Sequence, residues 1–306
     1  MATIISDLRQ AYRRGPLSMK LIFINVGVFF VCSLAMVFAL LFNRSLDWLL
    51  DWFRFPSSVT RFLVQPWSLI TYMFMHEGIL HLLFNMLWLY WFGQLFLSFF
   101  TARHLRGLYL LGGIGGALLY MLAYNVFPYF EPLRDVSVLS GASASVLAIV
   151  AATAYREPNY PIRLMLMGTV RLKYLALVVI GTDLLFITSA NAGGHIAHLG
   201  GALSGLSFAA LLSKGTDLTA WINRLVESLE RLCQSLVSLG ERKPRMKVKV
   251  NPHANAAAGR QADYDFNARK KAQDDEIDRI LDKLKKNGYE SLTAQEKKSL
   301  FDASKR

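Results

Sequence analysis

Cysteine is scarce in this chain, which has only two among its 306 residues, Cys32 and Cys233. The first lies inside a long apolar stretch and the second beyond the last such stretch, so the two thiols would occupy different environments. A disulfide framework is therefore not expected. The segment before the first apolar stretch also lacks a small-residue cleavage signature, and we expect that stretch to be a retained membrane helix rather than a signal peptide.

Charged residues are almost absent from six stretches of the chain, two of them short, which match or approach the length of a transmembrane helix, about 17 to 25 residues. These stretches are 21–42, 79–100, 108–126, 139–155, 174–188 and 195–212. Most of the charge lies before the first stretch and after the last, so the net charge of +12 is explained by basic flanks of a membrane domain. The sequence predicts an all-α, polytopic membrane protein with six transmembrane helices, and nucleic-acid binding is not expected.

Lysine and arginine are scarce in the loops on one predicted side of this bundle, with one arginine in 127–138 and none in 189–194. The opposite connections carry Arg103, Arg106, Arg156, Arg163, Arg171 and Lys173. Because basic loops stay on the cytoplasmic side, we expect both termini to be cytoplasmic. No targeting segment is evident, so a multi-pass protein of a bacterial plasma membrane is expected.

The flanks of the membrane domain divide the chain into further segments. Residues 1–19 form a cytoplasmic N-terminal segment, and 20–213 form the six-span domain. Apolar residues recur at helical spacing within 214–240, which predicts an amphipathic helix on the cytoplasmic surface. Residues 241–273 are expected to be a basic, flexible linker. In 274–306, Gly288 suits a helix stop and Thr293 with Glu296 fits a capping box, which predicts a small helical hairpin.

Strongly polar residues inside the predicted spans are costly in lipid, so each is a functional candidate. They are His81 and Asn85 in the second span, Ser143 and Ser145 in the fourth, Asp183 in the fifth, and His195 and His198 in the sixth. The second, fourth and sixth spans all enter from the outer side. We therefore expect His81, Asn85, Ser143 and His198 to share one depth near the outer face. Structural contacts between helices remain the alternative explanation.

Two chemistries are compatible with these residues. A metal site would draw on nitrogens of His76, His81, His195 and His198, with Glu77 or Asp183 as the nearby carboxylate, but no HExxH pattern occurs. Nucleophilic catalysis would use Ser143 as nucleophile, His198 as general base, and His81 and Asn85 as donors to an oxyanion. The second interpretation gives every group a role.

Small residues favour the nucleophilic interpretation. Gly141, Ser145 and Ile149 form one row of the fourth span, and Ala197, Gly201 and Gly205 form one row of the sixth. Such rows allow two helices to approach closely in lipid. A serine and a histidine on separate helices need that approach to reach hydrogen-bond distance.

Four motifs together resemble the rhomboid family of intramembrane serine proteases. They are "HEGILHLLFNM" at 76–86, "GLYLLGGIGGALLY" at 107–120, "GASA" at 141–144 and "AHLGGALSG" at 197–205. The resemblance covers about residues 19–213 and implies a six-span bundle. It also implies a Ser-His dyad that needs no metal or other cofactor, with Ser143 as nucleophile, His198 as base, and His81 and Asn85 stabilising the oxyanion. His76 and Gly141 are candidates for a supporting role.

The resemblance also bears on four neighbouring residues. His195 lies one turn too early to match the family's base. A dyad needs no carboxylate, so Asp183 is expected to have another task, such as pairing with a polar neighbour. Ala144 stands where the family usually has glycine, and Ser145 is expected to point away from Ser143.

We expect the protein to remain active with alanine instead of glycine at position 144. The alternative that this substitution leaves open is an inactive relative of the rhomboids that binds client proteins. The resemblance implies transmembrane proteins as substrates and the lipid bilayer as surroundings. The sequence names neither the substrate nor the oligomeric state.

Overall fold

The computed structural model describes residues 4–164, 168–240 and 256–304. The chain divides into two compact units, Met1–Gly240 and Glu241–Arg306. The helices of the larger unit are α1 (Ile4–Arg14), α2 (Leu17–Leu41), α3 (Asp47–Asp51), α4 (Val59–Val64), α5 (Ser68–Thr71), α6 (Ile79–Leu97), α7 (Ala102–Val126), α8 (Ser143–Arg156), α9 (Leu172–Leu185), α10 (Ala192–Leu212) and α11 (Ala220–Gly240). Its strands form two antiparallel pairs, β1 (Phe55–Pro56) with β2 (Val138–Leu139) and β3 (Pro161–Leu164) with β4 (Gly168–Arg171).

Helices coincide with all six predicted spans, but they differ in length. Within the described residues, α2, α6, α7 and α10 are long and apolar enough to cross a membrane. At the fourth and fifth positions, α8 and α9 have 14 residues each. Such a helix is about 21 Å long, against a hydrocarbon core of about 30 Å. The part of the chain that the structure describes therefore has four candidate spans of sufficient length, where the sequence predicted six spans.

The short length of α8 has a physical explanation in its burial. Every residue from Ala144 to Ala154 is buried inside the protein. Non-helical backbone is tolerated at membrane depth where protein covers it or where it lines a water-filled cavity. Because neighbouring helices cover α8, its backbone can leave the helical conformation before reaching the full thickness of a bilayer.

Helix α7 supports α8 and α10 through its glycines. A Cβ atom on Gly112 would collide with the side chain of Ala148, and one on Gly116 would lie 2.6 Å from the Cβ of Ala144. On the adjacent side, Gly115 faces Ser204 of α10. The missing side chains allow α8 and α10 to lie directly on α7, as small residues do at membrane helix interfaces.

Helices α8 and α10 also approach each other at glycines, although the predicted contact needs a correction. A side chain on Gly201 would collide with the carbonyl group of Ala144, and one on Gly205 with that of Ala148. Gly201 and Gly205, which belong to the predicted row of small residues on α10, therefore lie directly against α8. On α8, however, the facing residues are Ala144 and Ala148 rather than the predicted Ser145 row. A helix that is apolar all round carries no periodicity that could indicate its rotation.

The segment that leads into α8 is fixed by the segment between α2 and α6. Phe55 pairs with Leu139 across the two-stranded sheet, and Phe55 is fully buried. The hydroxyl of Ser57 donates to the carbonyl of Ser137 over 2.9 Å, and the hydroxyl of Tyr120 donates to the hydroxyl of Ser137 over 2.7 Å. The chain therefore reaches Ser143 from an anchored, extended segment.

The start of α7 is joined to α11 by a cluster of polar groups. Arg106 donates to the side-chain oxygen of Asn223 over 3.0 Å and to carboxylate oxygens of Glu227 and Glu230 over 3.1 and 3.2 Å. Arg103 pairs with the same oxygen of Glu227. These contacts place the beginning of α7 and the first half of α11 at the same end of the bundle.

The smaller unit contains α12 (Ala256–Asn287), a 3₁₀ turn at Tyr289–Ser291, and α13 (Ala294–Ser304). Because α12 is already helical at Ala256, the prediction of a linker to residue 273 is corrected for 256–273, whereas 241–255 lie outside the described residues. Gly288 has a φ of +75°, which agrees with the predicted helix stop.

The predicted capping box at the start of α13 is confirmed. The backbone N–H of Thr293 donates to Glu296 over 2.8 Å, and the N–H of Glu296 donates to the Thr293 hydroxyl over 3.3 Å. The ammonium of Lys283 donates to both carboxylate oxygens of Glu296. Hydrogen bonds from Lys283 and then from Thr293 lower the pKa of Glu296 to about 2. The cap and this ion pair together join α12 to α13.

Candidate active site

One cavity of about 540 Å³ brings together the four residues that the sequence placed at one depth. Ser143 reaches it from α8, His198 from α10, and His81 and Asn85 from α6. Polar walls come from Glu77, Ser140 and Asn191 and apolar walls from Phe84, Trp88, Val146 and Val179. The cavity therefore has the mixed lining and few converging polar groups that are typical of ligand sites.

Ser143 is the first residue of α8, so it lies at the end of the helix where backbone N–H groups lack acceptors within the helix. The first such bond in this helix is donated by Val146 to the carbonyl of Ala142 over 2.9 Å. The N–H groups of Ser143 and its next neighbours are therefore not used by α8, and the positive end of the helix dipole favours a negative charge there.

Gly141 holds the turn before α8 in a conformation that side chains rarely adopt, with a φ of +113°. Its N–H donates to the carbonyl of Tyr72 over 2.9 Å. A Cβ atom at this position would lie 2.8 Å from the imidazole of His81 and 3.9 Å from the hydroxyl of Ser143. The absence of a side chain thus leaves room for the imidazole of His81 beside the turn that leads into Ser143.

We expect Gly141→Ala to lower the rate of any reaction at Ser143 by about a hundredfold, because the new methyl group displaces the imidazole of His81. The backbone strain alone costs about 1 to 2 kcal/mol. The matched control is Gly215→Ala, which has a φ of +87° and no atom within 4 Å of the added Cβ. Both variants should lose thermal stability in detergent, Gly141→Ala by more because of its collision with His81, and only Gly141→Ala should lose activity. Equal activity losses in the two variants would contradict the expectation.

Asn85 is almost fully buried, with 7% of its surface exposed. Its amide nitrogen donates one hydrogen to the carbonyl of His81, one helical turn earlier, over 2.9 Å. A side-chain amide has a second N–H and a carbonyl oxygen, so one donor remains for a group in the cavity. The bond to the helix fixes the direction of that donor.

His198 contacts a carboxylate that the sequence did not assign to the site. Its Nδ1 lies 2.8 Å from Oδ1 of Asp183 on α9, and Nδ1 of His195 lies 2.8 Å from the same oxygen. Only 4% of the surface of Asp183 is exposed. His198 is part of the cavity wall, whereas His195 is not. Position therefore distinguishes His198, which lines the cavity, from His195, which does not. The spacing of the family's motif likewise implied His198 as the base.

Asp183, His195 and His198 are the group of described residues that could hold a metal ion, since their ligand atoms lie within 4.8 Å of one another. Two ligands of a tetrahedral zinc ion lie about 3.3 Å apart, because each bond is about 2.0 Å long. Each Nδ1 lies only 2.8 Å from Oδ1 of Asp183, which is the distance of a hydrogen bond. The geometry of this cluster is that of hydrogen bonds rather than metal ligation.

His76 contacts the site through His81 rather than through the cavity. The two rings meet edge to face, with centroids 5.1 Å apart. Burial, and next the neighbouring His81, lower the pKa of His76 to about 4. His76 is therefore an uncharged ring at neutral pH that limits the movement of His81.

Ala144 and Ser145 both face away from the cavity. The methyl group of Ala144 points at Gly116 of α7, and only 1% of this residue is exposed. Ser145 is fully buried, and its hydroxyl has no partner among the described residues. The extra methyl of Ala144 thus occupies space that Gly116 leaves free, and neither residue is part of the cavity wall. The sequence could not establish this, because it does not indicate the rotation of α8.

Comparisons with known proteins identify the family of the helices that surround the cavity. Residues 64–215 match the rhomboid domain, and residues 261–306 match a family of unknown function (DUF6576). The chain is 33% identical over 157 residues to RHOMBOID-like protein 12, mitochondrial, of Arabidopsis thaliana. That alignment covers 48% of this chain and 47% of the relative, so the chain spans about half the length of the curated relative it matches. The matched rhomboid domain contains α6 to α10 and every wall of the cavity, and the chain belongs to the rhomboid family.

Proposed function

We propose that the chain is a serine endopeptidase that cuts transmembrane protein substrates within the membrane, near its outer face. The observation that carries the proposal is the shared cavity, which is lined by a serine at a helix N-terminus, a histidine of a second helix and two possible donors of a third. Acyl transfer needs a nucleophile, a base and an oxyanion site in one place. Family membership supports the same chemistry.

In the proposed mechanism, the hydroxyl oxygen of Ser143 attacks the scissile carbonyl carbon while His198 accepts the hydroxyl proton. The oxyanion receives hydrogen bonds from the backbone N–H of Ser143, from the free amide hydrogen of Asn85 and from His81. When the tetrahedral intermediate collapses, the C–N bond breaks and His198 gives its proton to the leaving amine. Water, deprotonated by His198, then attacks the acyl carbon. The C–O bond to Ser143 breaks, His198 returns the proton to the serine oxygen, and the new carboxyl terminus is released.

The proposal includes a membrane arrangement. All six helices at the predicted positions would pass through the bilayer, with the short α8 and α9 embedded among the others. The end of the bundle that carries Arg103 and Arg106 would be cytoplasmic, as would both termini, and α11 would lie on the cytoplasmic membrane surface. A bacterial plasma membrane suits this orientation. The substrate would be a transmembrane helix that unwinds near the outer face, where residues with low helix propensity would aid cleavage.

The test is labelling of the full chain, purified in detergent, with a fluorophosphonate probe that reacts with activated serines. We expect the native chain and Ser145→Ala to be labelled and Ser143→Ala and His198→Ala to remain unlabelled. Ser145→Ala is the matched control, because it removes a hydroxyl from the same helix on the side that faces away from the cavity. Labelling of Ser143→Ala at the native rate would contradict the proposal. So would an unlabelled native chain beside a reactive serine hydrolase in the same detergent, and the client-binding function would then be favoured.

A further inference from the structure

Asp183 is the one acidic residue within the six predicted spans, and its contacts are directed at the proposed base. It lies in the last turn of α9, and only 4% of its surface is exposed. Burial of a carboxylate is costly unless it accepts hydrogen bonds. Oδ1 is contacted by Nδ1 of His195 and Nδ1 of His198, whereas Oδ2 has no partner among the described residues.

We propose that Asp183 is a positioning residue that fixes the tautomer of His198. Its carboxylate oxygen accepts the Nδ1–H of His198 and so leaves Nε2 as the nitrogen that can take the proton of Ser143. The inference rests on the proposed function. It adds a carboxylate on α9 to an arrangement that the family resemblance implies to be a Ser-His dyad.

The distance between Nδ1 of His198 and Oδ1 of Asp183 indicates which of its two neutral tautomers His198 adopts. A neutral imidazole has one protonated and one unprotonated nitrogen. If Nε2 carried the hydrogen, the lone pair of Nδ1 would face a carboxylate oxygen at 2.8 Å with no proton between them. That contact is repulsive, whereas an Nδ1–H donor at the same distance makes a charge-assisted hydrogen bond. The contact therefore selects the Nδ1–H form, which is the form that can act as a base towards Ser143.

His195 has a different part in the same cluster. It donates to the same oxygen as His198 over 2.8 Å but does not reach the cavity. Its ring is packed against Phe186, with centroids 6.0 Å apart. His195 thus supplies the second hydrogen bond that the buried carboxylate needs, and its ring also meets that of His198 edge to face, with centroids 6.1 Å apart.

The experiment measures cleavage of a single-span substrate by the full chain in detergent, comparing Asp183→Asn, His195→Phe and the matched control Asp217→Asn. Asp217 also lies beside a histidine, with its Oδ2 3.7 Å from Nε2 of His104. Its other oxygen accepts from the backbone and hydroxyl of Thr219, contacts that asparagine can keep. The control therefore removes a carboxylate near a histidine without touching the cavity.

We expect Asp183→Asn to lower kcat by about 10²- to 10⁴-fold, the upper value being the loss that the same change causes in a Ser-His-Asp triad. KM should stay within about twofold, since Asp183 does not line the cavity. His195→Phe should lose less than Asp183→Asn, and Asp217→Asn should keep the native kcat. An asparagine would donate its N–H to Nδ1 and so place the ring hydrogen on Nε2.

A spectroscopic measurement tests the same proposal without any substitution. The ¹⁵N chemical shifts of the His198 ring, in the full chain with labelled histidine, should show Nδ1–H in the native protein and Nε2–H in Asp183→Asn. An Nε2–H signature in the native protein would overturn the proposal even if Asp183→Asn fails to fold. A kcat of Asp183→Asn within about threefold of native would also overturn it. In both cases fluorophosphonate labelling of Ser143 would show that the proposed function itself survives.

Discussion

Alanine at Ser143, at His198 or at both positions is expected to lower the rate of peptide cleavage by the same factor, about 10⁶-fold. In the proposed mechanism the two side chains transfer one proton between them, so either one is of little use without the other. A double variant should therefore be no slower than either single variant. The measurement is cleavage of a single-span substrate in proteoliposomes, with thermal unfolding of each variant recorded in detergent.

The two single variants should differ in stability although they agree in rate. His198→Ala removes one of the two hydrogen bonds to the buried carboxylate of Asp183, which costs about 1 to 3 kcal/mol. Ser143→Ala leaves that cluster intact. The matched serine control is Ser204→Ala on α10, whose hydroxyl donates to the carbonyl of Gly200 over 2.9 Å. It should cleave at the native rate. Small losses that multiply in the double variant would contradict a shared proton transfer.

Gly201→Ala is expected to lower the free energy of unfolding by about 1 to 3 kcal/mol and the rate by about a hundredfold. The added methyl would collide with the backbone carbonyl of Ala144, which cannot retreat because the methyl group of Ala144 already contacts α7 at Gly116. Helix α8 begins at Ser143, and α10 carries His198 one turn before Gly201. Separating the two helices therefore also separates the proposed nucleophile from its base.

Gly27→Ala on α2 provides the matched control for Gly201→Ala. No atom lies within 4 Å of the Cβ that this change would add. Replacing glycine by alanine in a helix stabilises it by about 0.5 to 1 kcal/mol when the space is free. Denaturation in detergent should therefore show opposite signs for the two substitutions. A stabilised Gly201→Ala would mean that α8 and α10 are not in close contact at this level.

The prediction of one shared depth for His81, Asn85, Ser143 and His198 needed only the order of the spans and the alternation of their directions. The structure brings all four residues to one cavity. The residues of α8 that meet α10 were assigned wrongly, because α8 is buried on every side and its sequence has no polar face to indicate rotation. The direction of the Ala144 methyl was unpredictable for the same reason.

The sequence by itself determined the helical class, the positions of the helices in the membrane domain, and the cap and stop of the hairpin after residue 274. Each depends on hydropathy or on residues within a few positions of one another, which a linear pattern records. Only the tertiary structure showed that α8 and α9 are shorter than a bilayer is thick, and that the methyl group of Ala144 packs against Gly116. It also showed that Asp183 lies within hydrogen-bond distance of His198. These features depend on how helices rotate and pack against one another, and that packing joins residues whose separation along the chain carries no periodic signal.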